Sequence, residues 1–381
     1  NKFSYTIKNS SNRNNSYLKQ RNFFFFSHNY LAYKKSDVFI KKQFDLDIKL
    51  PKKYKLIYPL KSDLKNSFNF PPPIIAGNYI QKKIKDFDVY FFKKDIKNQK
   101  KTDSIIDVLN DVYSFYSQTY PKRESKPKII FVPFNGDLLL GVTLENVILL
   151  NSRMLTSNTK LNKRLLAHEV AHLWWGAGGL TFNNNLITEA VAEFMAIEYL
   201  KEKKEKKFLK TFINQKFYHS EGIIDKSEIN KGKNTKFEIL YSYEFTPLIF
   251  EQIQNKNSIF YKKLASFYNE NISNPFVSIK MLENFLQNNN LSKFMDKNKL
   301  PDYYITEKKD SILIHGKTEG PENVNIEYID SMNIKKEMSL LFSKEKNVYS
   351  LNKTSIKRLT IDPTYKCLQL SRLNDLWIKN D

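Results

Sequence analysis

The segment Leu165-Leu166-Ala167-His168-Glu169-Val170-Ala171-His172-Leu173-Trp174-Trp175-Gly176 constrains this chain more than any other stretch. Leu165, Leu166, Val170 and Leu173 recur at helical spacing, and Gly176, Gly178 and Gly179 follow as stop signals, so a helix is expected over 161–175. Residues four apart on a helix project from one face. His168 and His172 can therefore direct two imidazole nitrogens to one Zn²⁺, at about 2.0–2.1 Å each. Glu169, beside them, is placed to take a proton from a water rather than to bind the metal. A helix with two hydrogen-bonded core histidines is the plainer alternative, but it does not also require an apolar helix ended by glycines.

A catalytic zinc needs a third protein ligand and one open position. The only cysteine, Cys367, excludes zinc ribbons, Cys-x-x-Cys sites and an intrachain disulfide, so His, Asp or Glu must complete the set. Glu189 is the candidate, in Leu186-Ile187-Thr188-Glu189-Ala190-Val191-Ala192-Glu193-Phe194 on a second predicted helix over 186–200. Two antiparallel helices joined by a Gly- and Asn-rich loop would face His172 with that carboxylate. Glu193, one turn further on, is read as an exposed residue that could orient a ligand histidine.

Composition narrows the remaining classes. A chain of 381 residues with 41% hydrophobic and 27% charged side chains can bury a large core and is expected to divide into two or three domains. Ten glycines, 13 prolines and the lack of an apolar run near 18 residues argue against collagen-like, low-complexity and transmembrane readings, leaving a soluble globular protein. The net charge of +22 invites a nucleic-acid role. The excess, however, is lysine spread along the chain, with only 7 Arg, the residue that grips phosphate and guanine bidentately, so no specific nucleic-acid partner is expected. Because the sequence starts at Asn1 rather than Met, upstream residues are expected, and neither compartment nor oligomeric state is read from it.

Residues 1–95 read mostly as β-structure after an Asn-, Ser- and Lys-rich start of 22 residues, with strands at 44–50 and 87–92 and a short apolar run at 23–26. Residues 96–300 read as a mixed domain: a helix over 103–120, strands at 128–133 and 138–150, the two helices above, and helices at 246–255, 258–270 and 278–290. Thr246 is the expected N-cap of the first of these three, with Pro247 at its first turn. The charge-alternating run 201–207 reads as a solvated helical face. Residues 301–381 read as a small β-domain with strands at 312–315, 324–329 and 356–361. The fold class is thus multidomain α+β.

His-Glu-x-x-His-Leu-Trp-Trp-Gly followed by a glutamate-bearing helix resembles the aminopeptidase N family of zinc metallopeptidases, gluzincins with a thermolysin-like catalytic domain. Gly141-Val142-Thr143-Leu144-Glu145-Asn146 looks like the family's Gly-x-Met-Glu-Asn strand, whose backbone pairs with substrate and whose glutamate binds the free α-amine. The resemblance thus assigns Gly141 and Glu145 to substrate. Tyr241-Ser242-Tyr243-Glu244 stands where the family has a tyrosine that donates to the oxyanion, which implies Tyr243. Leu300-Pro301-Asp302-Tyr303-Tyr304 and Ile361-Asp362-Pro363 resemble the entry into and closing strand of a C-terminal β-sandwich. No counterpart of the family's large helical C-terminal domain is expected in these 381 residues, and its N-terminal β-sandwich is expected only as a remnant. The resemblance implies one Zn²⁺ per chain on His168, His172 and Glu189, with Glu169 as base and a peptide as substrate. An aminopeptidase is expected; an endopeptidase of the same mechanism and a non-catalytic scaffold on the same fold are the alternatives.

Overall fold

The computed structural model describes residues 17–19, 22–25, 48–50, 52, 54–60, 72–84, 86–92, 99–123, 126–134, 140–156, 161–176, 179–220, 240–256, 258–274, 276–287, 291, 300–364, 367, 369 and 374–379. The chain divides into two compact units, Asn1–Thr188 with Met195–Leu200 and Ala265–Val277, and Glu189–Phe194 with Lys201–Leu264 and Ser278–Asp381. No helix among the described residues is long and apolar enough to cross a membrane.

The first unit holds two sheets. Tyr17–Lys19 (β1), Asn22–Phe25 (β2), Lys55–Tyr58 (β3) and Ile74–Gly77 (β4) form an antiparallel sheet in the order β1-β2-β4-β3. Strand thus begins at Tyr17, inside the stretch expected to be linker. Of the strand expected at 44–50, residues 44–47 lie outside the described residues and 48–50 carry no strand. Tyr79–Lys83 (β5), Asp88–Phe92 (β6), Lys128–Val132 (β7), Gly141–Leu144 (β8) and Val147–Asn151 (β9) form the second sheet, in the order β5-β6-β7-β9-β8. β7 and β9 are parallel neighbours, and both are buried along their whole length, which is why they read as unbroken apolar runs rather than alternating ones. Ile57 and Ile75 of the first sheet share a core with Ile130, Val132 and Leu149 of the second.

The single strand expected over 138–150 is instead a hairpin. β8 and β9 pair antiparallel and reverse at Glu145 and Asn146, with Glu145 at φ 50°. Among the described residues the reversal leaves β8 at the edge of the sheet, with β9 as its one neighbour in the strand order.

Gln99–Tyr116 (α1) buries Ile105, Ile106, Leu109, Val112, Tyr113 and Tyr116, an apolar stripe at helical spacing. After the short Arg153–Thr156 (α2) comes Lys163–Ala171 (α3), opened by the Asn162 side chain, which accepts from the Leu165 N–H at 3.1 Å. The helix ends at Ala171, four residues short of the expected Trp175. There Leu173 N–H and Trp174 N–H donate to the carbonyls three residues back, tightening the last turn. The tightened turn drives both indoles into the core. Trp174 sits among Tyr113, Tyr116 and Tyr120 and donates from Nε1 to the Pro121 carbonyl at 2.8 Å, while Trp175 stacks on Phe182 with ring centroids 5.7 Å apart. Tyr116 Oη also donates to the Ala167 carbonyl, fastening α3 to α1. Thr181–Phe182 (β10) pairs in parallel with Phe276–Val277 (β11), and Asn185–Glu202 (α4) follows β10. α4 contributes Asn185–Thr188 and Met195–Leu200 to the first unit, and Glu189–Phe194 with Lys201 and Glu202 to the second.

The second unit continues with Lys206–Ser220 (α5), a π-helical turn at Tyr241–Phe245, Thr246–Lys256 (α6), the start of Phe260–Asn271 (α7), and Ile279–Leu286 (α8). Thr246 is not an N-cap: it is helical at φ −63° and ψ −37°, and its N–H donates to the Tyr241 carbonyl. The helical run starts earlier, through the π-turn, so Pro247 lies inside it. Pro247 offers no N–H to the carbonyl four residues back, which a five-residue register tolerates better than an α-turn does.

Beyond Leu300, Asp302–Lys308 (β12), Ser311–Lys317 (β13) and Val348–Asn352 (β16) form one antiparallel sheet. Glu322–Asp330 (β14), Lys335–Phe342 (β15), Ile356–Ile361 (β17) and Leu376–Ile378 (β18) form another, ordered β15-β14-β17-β18. Tyr303, Ile312 and Ile314 of the first meet Val324, Ile326, Phe342 and Leu359 of the second in one core, with alternate residues turned outward. With eight α-helices among the described residues and several sheets, the chain is a mixed α+β protein.

Candidate functional site

α3 presents His168, Glu169 and His172, all buried, and α4 presents Glu189, half-buried, one residue after Thr188. One ligand atom from each of His168, His172 and Glu189 lies within 4.8 Å of the other two. The His168 and His172 Nε2 atoms are 3.1 Å apart. Two nitrogens at tetrahedral positions around one zinc would stand about 3.3 Å apart, so the pair is close to the spacing a shared ion requires.

The His172 tautomer follows from its other nitrogen. Nδ1 lies 2.7 Å from the Trp175 carbonyl oxygen, which can only accept, so Nδ1 carries the proton and Nε2 keeps its lone pair. A backbone carbonyl holding the far side of a ligand imidazole is the support that metal-binding histidines require. Gly176 makes this geometry possible. It adopts φ +125°, and a Cβ there would stand 3.0 Å from His172 Nδ1.

Glu169 is held against the edge strand. Thr143 Oγ1 lies 2.8 Å from the Glu169 carbonyl oxygen and 2.9 Å from its Oε2. Gly141 leaves room for the carboxylate, since a Cβ at 141 would come within 2.7 Å of Oε1. β8 therefore meets Glu169 through Gly141 and Thr143. Glu145 lies at the hairpin turn, two residues beyond Thr143.

Tyr243 Oη donates to Glu189 Oε2 at 2.5 Å. The residue expected to be exposed, Glu193, is fully buried and pairs with Lys216 of α5 at 2.7 Å, both side chains being no more than 1% exposed. Lys216 Nζ also donates to the Tyr243 carbonyl and lies 3.5 Å from Glu244 Oε2 and 4.3 Å from the centre of the Phe212 ring. His219 approaches Glu244 at 3.6 Å, and His315 stacks on Tyr304 and bonds Thr306. His28 lies outside the described residues.

Sequence reasoning missed two residues. Thr143 stands inside the Gly141–Asn146 motif, one residue before the position that corresponds to the family's Met, and its period-two relation to Gly141 was the available signal. Lys216 carried none, being one of many lysines on a polar helix.

Neither protein-family models nor curated proteins match this sequence. Solved structures do match its fold. The crystal structure of Legionella pneumophila aminopeptidase A in complex with aspartic acid superposes with a TM-score of 0.55 over 78% of this chain and 38% of that one, at 13% identity. This chain thus spans well under half of that neighbour's length, and the likeness is one of fold.

Proposed function

We propose that the chain is a zinc-dependent peptidase, with His168, His172 and Glu189 as metal ligands, Glu169 as base and Tyr243 as oxyanion donor. The observation that carries this reading is the convergence of two imidazole Nε2 atoms and one carboxylate, with a second buried carboxylate, Glu169, next to His168 in the chain. The neighbouring fold of an aminopeptidase supports it, as does the resemblance of the helix motifs to the aminopeptidase N family.

A Zn²⁺ in this donor set supplies Lewis acidity toward a scissile carbonyl and an attacking water. The chain's own groups divide the remaining work. β8, an edge strand, can pair its outer side with an extended peptide, as β-augmentation requires. Thr143 donates to Oε2 of Glu169, and Oε1 is the oxygen assigned to accept a proton from water and return it to the leaving amine. Tyr243 Oη–H, which donates to Glu189 Oε2 in the structure, would turn from that carboxylate to the developing oxyanion, a contribution of about 2.7–4 kcal/mol in comparable sites.

Whether a free N-terminus is required depends on Glu145. The aminopeptidase reading rests on its carboxylate meeting the substrate ammonium; its position at the hairpin turn favours, as a second reading, an endopeptidase of the same mechanism. Zinc-dependent cleavage of a peptide panel with free and acetylated N-termini, beside Glu169→Gln, tests both. Loss of the first residue from free peptides alone, with an inert variant, supports the aminopeptidase; equal cleavage of acetylated peptides supports the endopeptidase. No cleavage of either set with zinc bound defeats the peptidase reading in favour of the scaffold.

A further inference from the structure

Lys216 is a cation with 1% of its side chain exposed, on a helix that belongs to no part of the motif above. A buried ammonium is costly unless it is paired and its hydrogens are used. Its pairing partner is Glu193 at 2.7 Å, and the Phe212 ring faces it at 4.3 Å. Two further polar contacts reach the Tyr241–Phe245 turn: Nζ donates to the carbonyl of Tyr243, and it lies 3.5 Å from Glu244 Oε2.

That carbonyl lies in an unusual place. In an α-helix it would accept from the residue four positions on, which here is Pro247 and has no N–H. The turn Tyr241–Phe245 is π-helical, with Thr246 N–H reaching back to Tyr241, and the Tyr243 carbonyl accepts from the lysine. The same residue's side chain reaches Glu189 Oε2. One buried cation thus grips the backbone of the residue whose hydroxyl faces the ligand carboxylate.

We propose that Lys216, anchored by Glu193, is a positioning residue that fixes the Tyr243 turn and through it the direction of the Tyr243 hydroxyl. The kinetic part of this inference rests on the peptidase reading; the clamp itself does not.

The test uses the full chain and Lys216→Met/Glu193→Gln, which removes both charges together so that neither is left buried and unpaired. Hydrogen exchange of the metal-free protein is expected to show lost protection over residues 241–246 in the variant. Cleavage by the zinc-loaded protein is expected to fall about 10²-fold in kcat with KM nearly unchanged, as a displaced catalytic group produces. In a Tyr243→Phe background the same double change is expected to have little further effect on kcat, because its target is already gone. Unaltered exchange over 241–246 overturns the clamp. A kcat loss of equal size with and without Tyr243 overturns the action through Tyr243.

Should the variant not fold, the wild-type protein still decides. Its 241–246 amides are expected to exchange as slowly as those of buried α4, and exchange at the rate of a fraying helix end overturns the proposal. If the wild type binds zinc yet cleaves no peptide, the peptidase reading fails while the exchange result still judges the clamp.

Discussion

Tyr243 Oη and Glu189 Oε2 are 2.5 Å apart, with the phenol donating to the carboxylate. The residue assigned to the oxyanion therefore also holds the carboxylate assigned to the metal. An oxyanion donor that acted alone would leave metal affinity untouched when removed. Tyr243→Phe is instead expected to lower kcat by about 10²–10³-fold and zinc affinity by about 10-fold. Zinc competition titration beside steady-state kinetics separates the two effects, and unchanged affinity would show that the contact does not orient Glu189.

Metal binding itself is directly measurable. One zinc per chain is expected, and His172→Ala should abolish it, since it removes one of the three groups that converge there and the contact to the Trp175 carbonyl. Zinc at about 100 times its dissociation constant should stabilise the fold by about 2.7 kcal/mol, read as a rise in Tm that a chelator reverses. A Tm indifferent to zinc would count against the site.

Gly141→Ala probes the support of the base. The new Cβ would meet Glu169 Oε1 at 2.7 Å, so the carboxylate or the strand must shift. The variant is expected to bind zinc normally and to lose about 10²-fold in kcat. Thr143→Val, which removes the hydroxyl donor while keeping the shape, should cost about 1 kcal/mol of stability and also slow turnover. Full activity of Gly141→Ala would mean that Glu169 is not held where the geometry puts it.

Trp174 anchors the helix that carries His168 and His172. It is fully buried among three tyrosines with its Nε1–H on Pro121, so Trp174→Ala is expected to destabilise the protein by about 3–5 kcal/mol in denaturant unfolding. A change below about 1 kcal/mol would place the helix's support elsewhere.

Acid should weaken the C-terminal β-sandwich through Asp330. Hydrogen bonds from the Ile334 N–H, the Lys336 ammonium and the Met332 N–H hold its carboxyl below the usual carboxylate range. A carboxyl with a depressed folded-state pKa adds stability that is complete above its unfolded value, about 3.9, and is lost as pH falls through the folded value. The stability gap between the wild type and Asp330→Asn, followed by Trp377 fluorescence in denaturant, should therefore close on acidification below about pH 4. A gap independent of pH would assign Asp330 no charged role.

The reach of the sequence is seen by comparing α3 with its surroundings. Helical spacing and the His-Glu-x-x-His register are local properties of the chain, set by backbone geometry, so the helix and the common face of His168 and His172 were legible in the order of residues alone. The alternation of the C-terminal strands was legible for the same reason. The hairpin at Glu145 was not, because the Gly or Asn-Gly pair that favours a positive φ at such a turn is missing, and only the pairing of β8 with β9 reveals the reversal. Tertiary structure alone decided that Glu193 is buried: its partner, Lys216, lies on another helix, and a lysine's charge says nothing of whether a carboxylate will meet it out of water. The same holds for the Tyr243 turn. Pro247 announces a missing donor four residues on from Tyr243, but which side chain meets the Tyr243 carbonyl depends on contacts that no spacing along the chain encodes.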